Sequence, residues 1–201
     1  MVRIYPDYKV IFYSNSKCAS TTLKIAFGKD DVSGVLGLSI QDRPRKPAQY
    51  YIKNYKNYRI FTFVRNPFDR VVSFYHFNNK ESLHTRGYEL YSSFEHYIIN
   101  EYVSQPIKRA DNDIQLKQCF RDSKINNLDD IFFIFFIGKV ENLNDDYFAL
   151  CKILNVVGKP LGYERKTFDR KQNYREYYTD KTRKIIEKMY EKDFQMFNYK
   201  F

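Results

Sequence analysis

KVIFYSNSKCASTTLKIAFG, residues 9–28, runs from bulky apolar side chains through a lysine and several small hydroxylated residues into an apolar segment that stops at glycine. KVIFYS predicts a short buried strand, and TTLKIAF a short helix with Gly28 as its stop. Strand, loop and helix in that order open an α/β unit, in which ligands bind beyond the carboxyl ends of the strands. There the N–H groups opening the helix near Ser20 to Leu23, the hydroxyls of Ser20, Thr21 and Thr22, and the mobile charge of Lys17 can face a phosphate or sulfate oxyanion. The loop is not a Walker A sequence, because its lysine precedes the hydroxylated residues and it has no glycine. Taken alone, it is equally an ordinary strand-to-helix turn.

The rest of the chain repeats the alternation. RIFTFV, residues 59–64, predicts a second buried strand with Arg65 at its carboxyl end. A helix follows, with Asn66 as cap, Pro67 in the first helical position and Asp69 near the positive end of the dipole. Ser73 lies seven residues beyond the cap on the same helix face, so Arg65 and Ser73 can converge on one anion. The alternative is that Arg65 pairs with Asp69 and Ser73 bonds back to the helix.

SSFEHYIINEYV (92–103) predicts an amphipathic helix with a Ser92 to Glu95 capping box. IFFIFFI (131–137) reads as a central strand covered on both faces, and NLNDDYFALCKIL (142–154) as a helix capped near Asn144. A last helix from Thr179 places Ile185, Ile186, Met189, Tyr190, Phe194 and Phe197 on one stripe. Residues 29–58 read as loop with at most one short helix. The expectation is one α/β domain over residues 1–201, with a largely parallel central sheet flanked by helices.

The formal net charge of +10 points to an anionic partner: nucleic acid, a membrane surface or a phosphorylated small molecule. The excess lies mostly in residues 1–100, where 15 Lys and Arg face 8 Asp and Glu. No nucleic-acid recognition motif is evident, so no specific nucleic acid is expected. The 3 cysteines, Cys18, Cys119 and Cys151, form no CxxC pair, which argues against a disulfide framework or a zinc site and fits a reducing compartment. No run of about 18 apolar residues occurs, so a cytoplasmic chain without a transmembrane segment is expected. Peripheral membrane contact stays open, and nothing specifies an oligomeric state.

SKCASTTLK (16–24) followed by FVRNPFDRVVSFYHF (63–77) resembles the two cofactor-binding signatures of the PAPS-dependent sulfotransferases. These are a 5′-phosphosulfate loop of PKxGST or PKxAST type and a 3′-phosphate segment RNPxxRxxSxY. FFIGKVENLNDDYFALCKIL (135–154) and the ending YYTDKTRKIIEKMYEKDFQMFNYKF (177–201) resemble segments of the carbohydrate sulfotransferase group and its bacterial relatives. The resemblance implies a P-loop-like, three-layer fold that transfers a sulfuryl group from PAPS, without a metal, to a hydroxyl or amine of a carbohydrate or glycolipid acceptor, leaving PAP. It also implies that Lys17, Cys18, Ala19, Ser20, Thr21 and Thr22 contact the 5′-phosphosulfate while Arg65 and Ser73 hold the 3′-phosphate. Arg170, Lys171 and Arg175 form a basic segment that could close over the nucleotide or be a solvated face.

The chain departs from the pattern in three ways, the first being Ser16, which stands where proline is common before the lysine. Ala19 stands where many relatives have glycine, which the loop accepts if its backbone there is not left-handed. Residues 23–64 contain neither His nor Glu, where relatives commonly carry the base that deprotonates the acceptor. His84, in the loop-like KESLHTRGY, and Asp42 are the candidates; His76 reads as packed or hydrogen-bonded, His96 as a surface residue, and Glu141 as a substrate or loop contact or a backbone acceptor. The competing readings are a P-loop small-molecule kinase or NTPase, a catalytically degenerate PAP-binding protein, and a basic nucleic-acid-binding module.

Overall fold

The computed structural model describes residues 2–28, 34–37, 39–42, 48–104, 134–162 and 170–201. They divide into two compact units, one formed by Met1–Arg65 with Gln115–Arg165 and the other by Asn66–Ile114 with Lys166–Phe201.

The first unit is built on a five-stranded sheet of β1 (Val2–Tyr5), β2 (Val10–Tyr13), β3 (Ile40–Asp42), β4 (Arg59–Val64) and β5 (Ile134–Lys139), in the order β3-β1-β2-β4-β5. β2 pairs parallel with β4 and β4 with β5, while β1 runs antiparallel to both β2 and β3. All strands except β1 therefore point the same way, which is the largely parallel sheet expected. The helices of this unit are α1 (Ser20–Phe27), α2 (Ala48–Asn54) and α5 (Leu143–Ile153).

Aromatic side chains fill its core. Phe12 of β2 stacks on Phe61 of β4 with ring centroids 5.1 Å apart, and Phe27 of α1 meets Phe61 edge-on at 5.2 Å. Tyr147 of α5 reaches Phe27 at 5.3 Å. Such pairs contribute about 0.5–1.5 kcal/mol each beyond the area they bury. The Tyr5 hydroxyl donates to the Gly28 carbonyl at 3.0 Å, tying β1 to the end of α1, and burial pushes its phenol well above the usual value.

The second unit is helical, with α3 (Pro67–Arg86), α4 (Phe94–Ile98) continued by a π-helical stretch Ile99–Ser104, α6 (Asp180–Met189) and α7 (Glu191–Phe197). Asn66 caps α3 by accepting from the Phe68 N–H at 3.0 Å, as its position predicts. Phe68, Val71, Val72, Phe94, Tyr97, Ile186 and Tyr190 form one buried cluster. Arg70 is fully buried beside it, its guanidinium 5.1 Å from the Phe74 ring centre. No described helix is long and apolar enough to cross a membrane.

Several local expectations give way. VRIY and IQD each form a strand, although an arginine interrupts the first and no apolar run marks the second. Each is held by the other, with Arg3 donating to Ser39 Oγ at 2.7 Å and Gln41 Oε1 at 2.9 Å. The strand foreseen at 131–137 is β5, shifted toward the C-terminus, and it forms an edge of the described sheet rather than a centre covered on both faces; residues 131–133 lie outside the described region. α4 is capped by Ser93 rather than Ser92, because Ser93 Oγ accepts from the His96 N–H at 3.1 Å. α5 begins at Leu143, with Asn142 in the cap position but no side-chain cap bond. The final stripe divides at Tyr190 into α6 and α7. Cys119 lies outside the described residues.

Gly138 of β5 stands opposite Phe63 of β4, and a Cβ there would overlap the buried Phe63 ring. Gly138→Ala is therefore expected to destabilise the fold by about 1–3 kcal/mol, read as a lower urea midpoint with an unchanged slope.

Candidate active site

The loop between β2 and α1 is shaped by its alternating backbone hand. Lys17 and Ala19 are left-handed, with φ of 63° and 52°, and Cys18 between them is not. This alternation turns successive N–H groups toward one side, the concavity that binds anions in phosphate loops. The condition under which the loop accepts alanine without strain is not met: Ala19 is left-handed at φ 52°, ψ 23°, which for a residue with a Cβ costs roughly 1–2 kcal/mol. The strain is local, and the next residue, Ser20, already begins α1.

Ala19 is also the N-cap of α1 and has no side chain able to cap it. The first intrahelical bond runs from the Leu23 N–H to the Ala19 carbonyl at 3.0 Å, so the N–H groups of Ser20, Thr21 and Thr22 open the helix. α3, α4 and α6 begin under a side-chain cap, while α5 and α7, like α1, do not. A helix left without a cap behind an anion-binding turn, with Lys17 beside it, fits an oxyanion held by backbone donors and one positive charge. Cys18 is buried, its thiol on the Ser16 carbonyl at 3.6 Å.

The loop is fastened to β4 by a buried polar clasp. Backbone pairing between β2 and β4 runs from Val10–Arg59 to Phe12–Phe61. Beyond it side chains take over: Thr62 Oγ1 donates to the Tyr13 carbonyl at 2.7 Å, and Asn15 Nδ2 donates to Thr62 Oγ1 and to the Phe63 carbonyl, both at 3.0 Å. Arg65 Nη1 then donates to the Lys17 carbonyl at 3.1 Å. Arg65 thus stands against the loop, whereas Asp69, its alternative partner, forms an ion pair with Arg170.

The structure brings together in the first unit Lys17, Cys18, Ala19, Ser20, Thr21, Thr22 and Arg65. Asp42 ends β3 in the same unit, accepting from the Tyr51 hydroxyl at 2.8 Å. In the second unit Ser73 is half-buried on α3. His84 is exposed in the last turn of α3, a correction to its expected loop, because the helix continues to a stop at Gly87. The basic segment is packed onto α3 within this unit. Besides the Arg170–Asp69 pair, Tyr177 Oη meets His76 Nε2 at 2.7 Å and Tyr178 Oη donates to the Phe68 carbonyl at 2.9 Å. Arg175 lies over the Tyr174 ring at 4.8 Å, while Lys171 stays exposed, 3.8 Å from Glu176. Glu141 is exposed in the turn before α5.

Sequence reasoning missed Asn15, Thr62 and Tyr51. The available signals were an amide directly after a buried strand and a lone hydroxyl in the apolar run RIFTFV.

Two stability measurements test this geometry. Asn15→Ala removes two buried hydrogen bonds, to Thr62 Oγ1 and to the Phe63 carbonyl, and should cost about 1–3 kcal/mol in denaturant unfolding. Ala19→Gly relieves the left-handed strain against a smaller entropic loss and should be neutral or stabilising by up to about 1 kcal/mol.

No curated protein and no solved structure matches the chain. A family model described as "Sulfotransferase family" matches residues 1–200, which takes in the loop, Arg65 and both units. With the match covering almost every residue, this chain belongs to the sulfotransferase family, whose members transfer a sulfuryl group.

Proposed function

We propose that the chain takes its sulfuryl group from PAPS and passes it to a hydroxyl or amine of a carbohydrate or glycolipid. The observation that carries the donor assignment is the uncapped N-terminus of α1 behind the left-handed Lys17 and Ala19. Backbone N–H groups, the Ser20 and Thr21 hydroxyls and Lys17 would hold the 5′-phosphosulfate. The donor supplies an activated sulfur–oxygen bond. As that bond breaks, negative charge grows on the bridging and equatorial oxygens, and fixed donors at a helix opening stabilise it more than the ground state. Lys17 balances the same charge from the side chain.

Arg65 would hold the 3′-phosphate through its planar fork, and charge-assisted bonds of that kind contribute about 1.5–3 kcal/mol each. Ser73 is assigned to the same phosphate on its signature alone, and the basic segment Arg170, Lys171 and Arg175 to the nucleotide on its charge. The carbohydrate acceptor rests on the resemblance of residues 135–154 and 177–201 to the carbohydrate sulfotransferase group.

PAP is expected to raise the melting temperature without magnesium, and Arg65→Ala to remove most of that shift. Stabilisation by ATP with magnesium but not by PAP would overturn the donor assignment. Lys17→Ala should lower turnover roughly 10² to 10³-fold, measured as PAP release from PAPS together with a gain of one sulfuryl mass on a glycan and glycolipid panel. An unchanged rate would remove Lys17 from the site.

A further inference from the structure

The donor site leaves the acceptor's proton without a destination. In the sheet, Asp42 at the end of β3 stands opposite Val2 on β1, and Val2 stands opposite Tyr13 at the end of β2. β3 and β2 run in the same direction, so Asp42 closes the sheet edge from which the Ser14–Ala19 loop departs. With neighbouring strands about 4.8 Å apart, the Asp42 and Tyr13 backbones are separated by roughly 10 Å. An acceptor oxygen about 3 Å from a base and a similar distance from the sulfur fits that span.

The carboxylate is also held in place. Tyr51 is fully buried on α2 and donates its hydroxyl to Asp42 Oδ2 at 2.8 Å. Its ring meets the Tyr13 ring edge-on, with centroids 6.0 Å apart. The orientation of Asp42 is thereby tied to the strand that carries the loop. The histidines are engaged elsewhere or remote from any such support: His76 Nε2 is on Tyr177 Oη, His96 Nδ1 is 3.1 Å from Ser92 Oγ, and His84 is exposed on the last turn of α3.

We infer that Asp42 is the base that takes the acceptor's proton and that Tyr51 is its positioning residue. The inference rests on the sulfuryl-transfer site proposed above. The acceptor O–H proton passes to the Asp42 carboxylate while the acceptor oxygen's electron pair forms the new bond to sulfur. The bond from sulfur to the nucleotide's phosphate oxygen breaks, and its electron pair leaves with PAP. Asp42 returns the proton to water.

Asp42→Asn keeps an oxygen that can accept from Tyr51, so it removes the proton acceptor and leaves the staple between β3 and α2. The test compares wild type, Asp42→Asn, Asp42→Glu and Tyr51→Phe in two assays. One is the melting shift given by PAP. The other is PAP release from PAPS, with the glycan panel and with water as the sole acceptor. Asp42→Asn should show the wild-type PAP shift with turnover lowered at least about 100-fold. Asp42→Glu should recover part of the loss, and Tyr51→Phe should lower kcat several-fold at an unchanged KM for PAPS.

Wild-type turnover in Asp42→Asn would overturn the inference, as would parallel loss of turnover and of the PAP shift, which would make Asp42 a donor-site or structural residue. A wild-type chain that binds PAP but releases none from PAPS would overturn it too, while leaving the nucleotide site standing. A wild-type chain with no PAP shift would overturn the donor assignment itself and this inference with it.

Discussion

Where the β2–β4 ladder ends at Phe12 and Phe61, the next residues of both strands must still satisfy their buried polar groups. Asn15 and Thr62 meet that constraint. A hydroxyl and an amide, both buried, donate to the Tyr13 and Phe63 carbonyls beyond the last β2–β4 pair. A buried carbonyl left without a donor costs the full desolvation of that group, so the clasp has few acceptable alternatives. It fixes the start of the loop against the end of β4, and Arg65 follows Val64 directly. The Arg65 guanidinium on the Lys17 carbonyl extends the same tie from the strand ends to the loop.

The loop itself trades local stability for donor geometry. Two left-handed residues with Cβ atoms, and a helix opening with no side-chain cap, are each unfavourable in an ordinary turn. Together they leave backbone N–H groups aimed outward, which is the arrangement an oxyanion satisfies. Strain kept at such a place is consistent with a binding role, because the surrounding core over-determines the backbone. Phe12, Phe27 and Phe61 supply that core on either side of the loop.

In the second unit tyrosine hydroxyls do much of the fastening. Tyr177 and Tyr178 reach His76 and the Phe68 carbonyl, and Asn66 Nδ2 donates to Tyr174 Oη at 3.3 Å. The tyrosine-rich segment thereby holds the residues around Arg170 and Arg175 against the first turns of α3. The sequence does not reveal these contacts, because a hydroxyl's partner is invisible until its ring is packed. Each ring buries its body and carries one polar atom to a distant acceptor.

How far the sequence could be read depends on how local each signal is. β4, the Asn66 cap with Pro67, and the paired signatures around Lys17 and Arg65 were legible because capping, apolar runs and motif spacing act within a few residues. β1 and β3 were not, since IQD becomes a strand only by pairing with VRIY across 36 or more residues, and VRIY carries no apolar run that would mark it without its pairing partners β2 and β3. His84 was misplaced because the stop at Gly87 outweighed the polar run before it.

The sequence alone determined the strand, loop and helix unit and the family to which the chain belongs. Only the tertiary structure decided that Ala19 is left-handed, that Asn15 and Thr62 clasp the loop, and that Asp42 ends at the same sheet edge under the hold of Tyr51. The physical reason is that backbone hand, burial and hydrogen-bond partner are settled by groups tens of residues away, once the sheet order has brought them together.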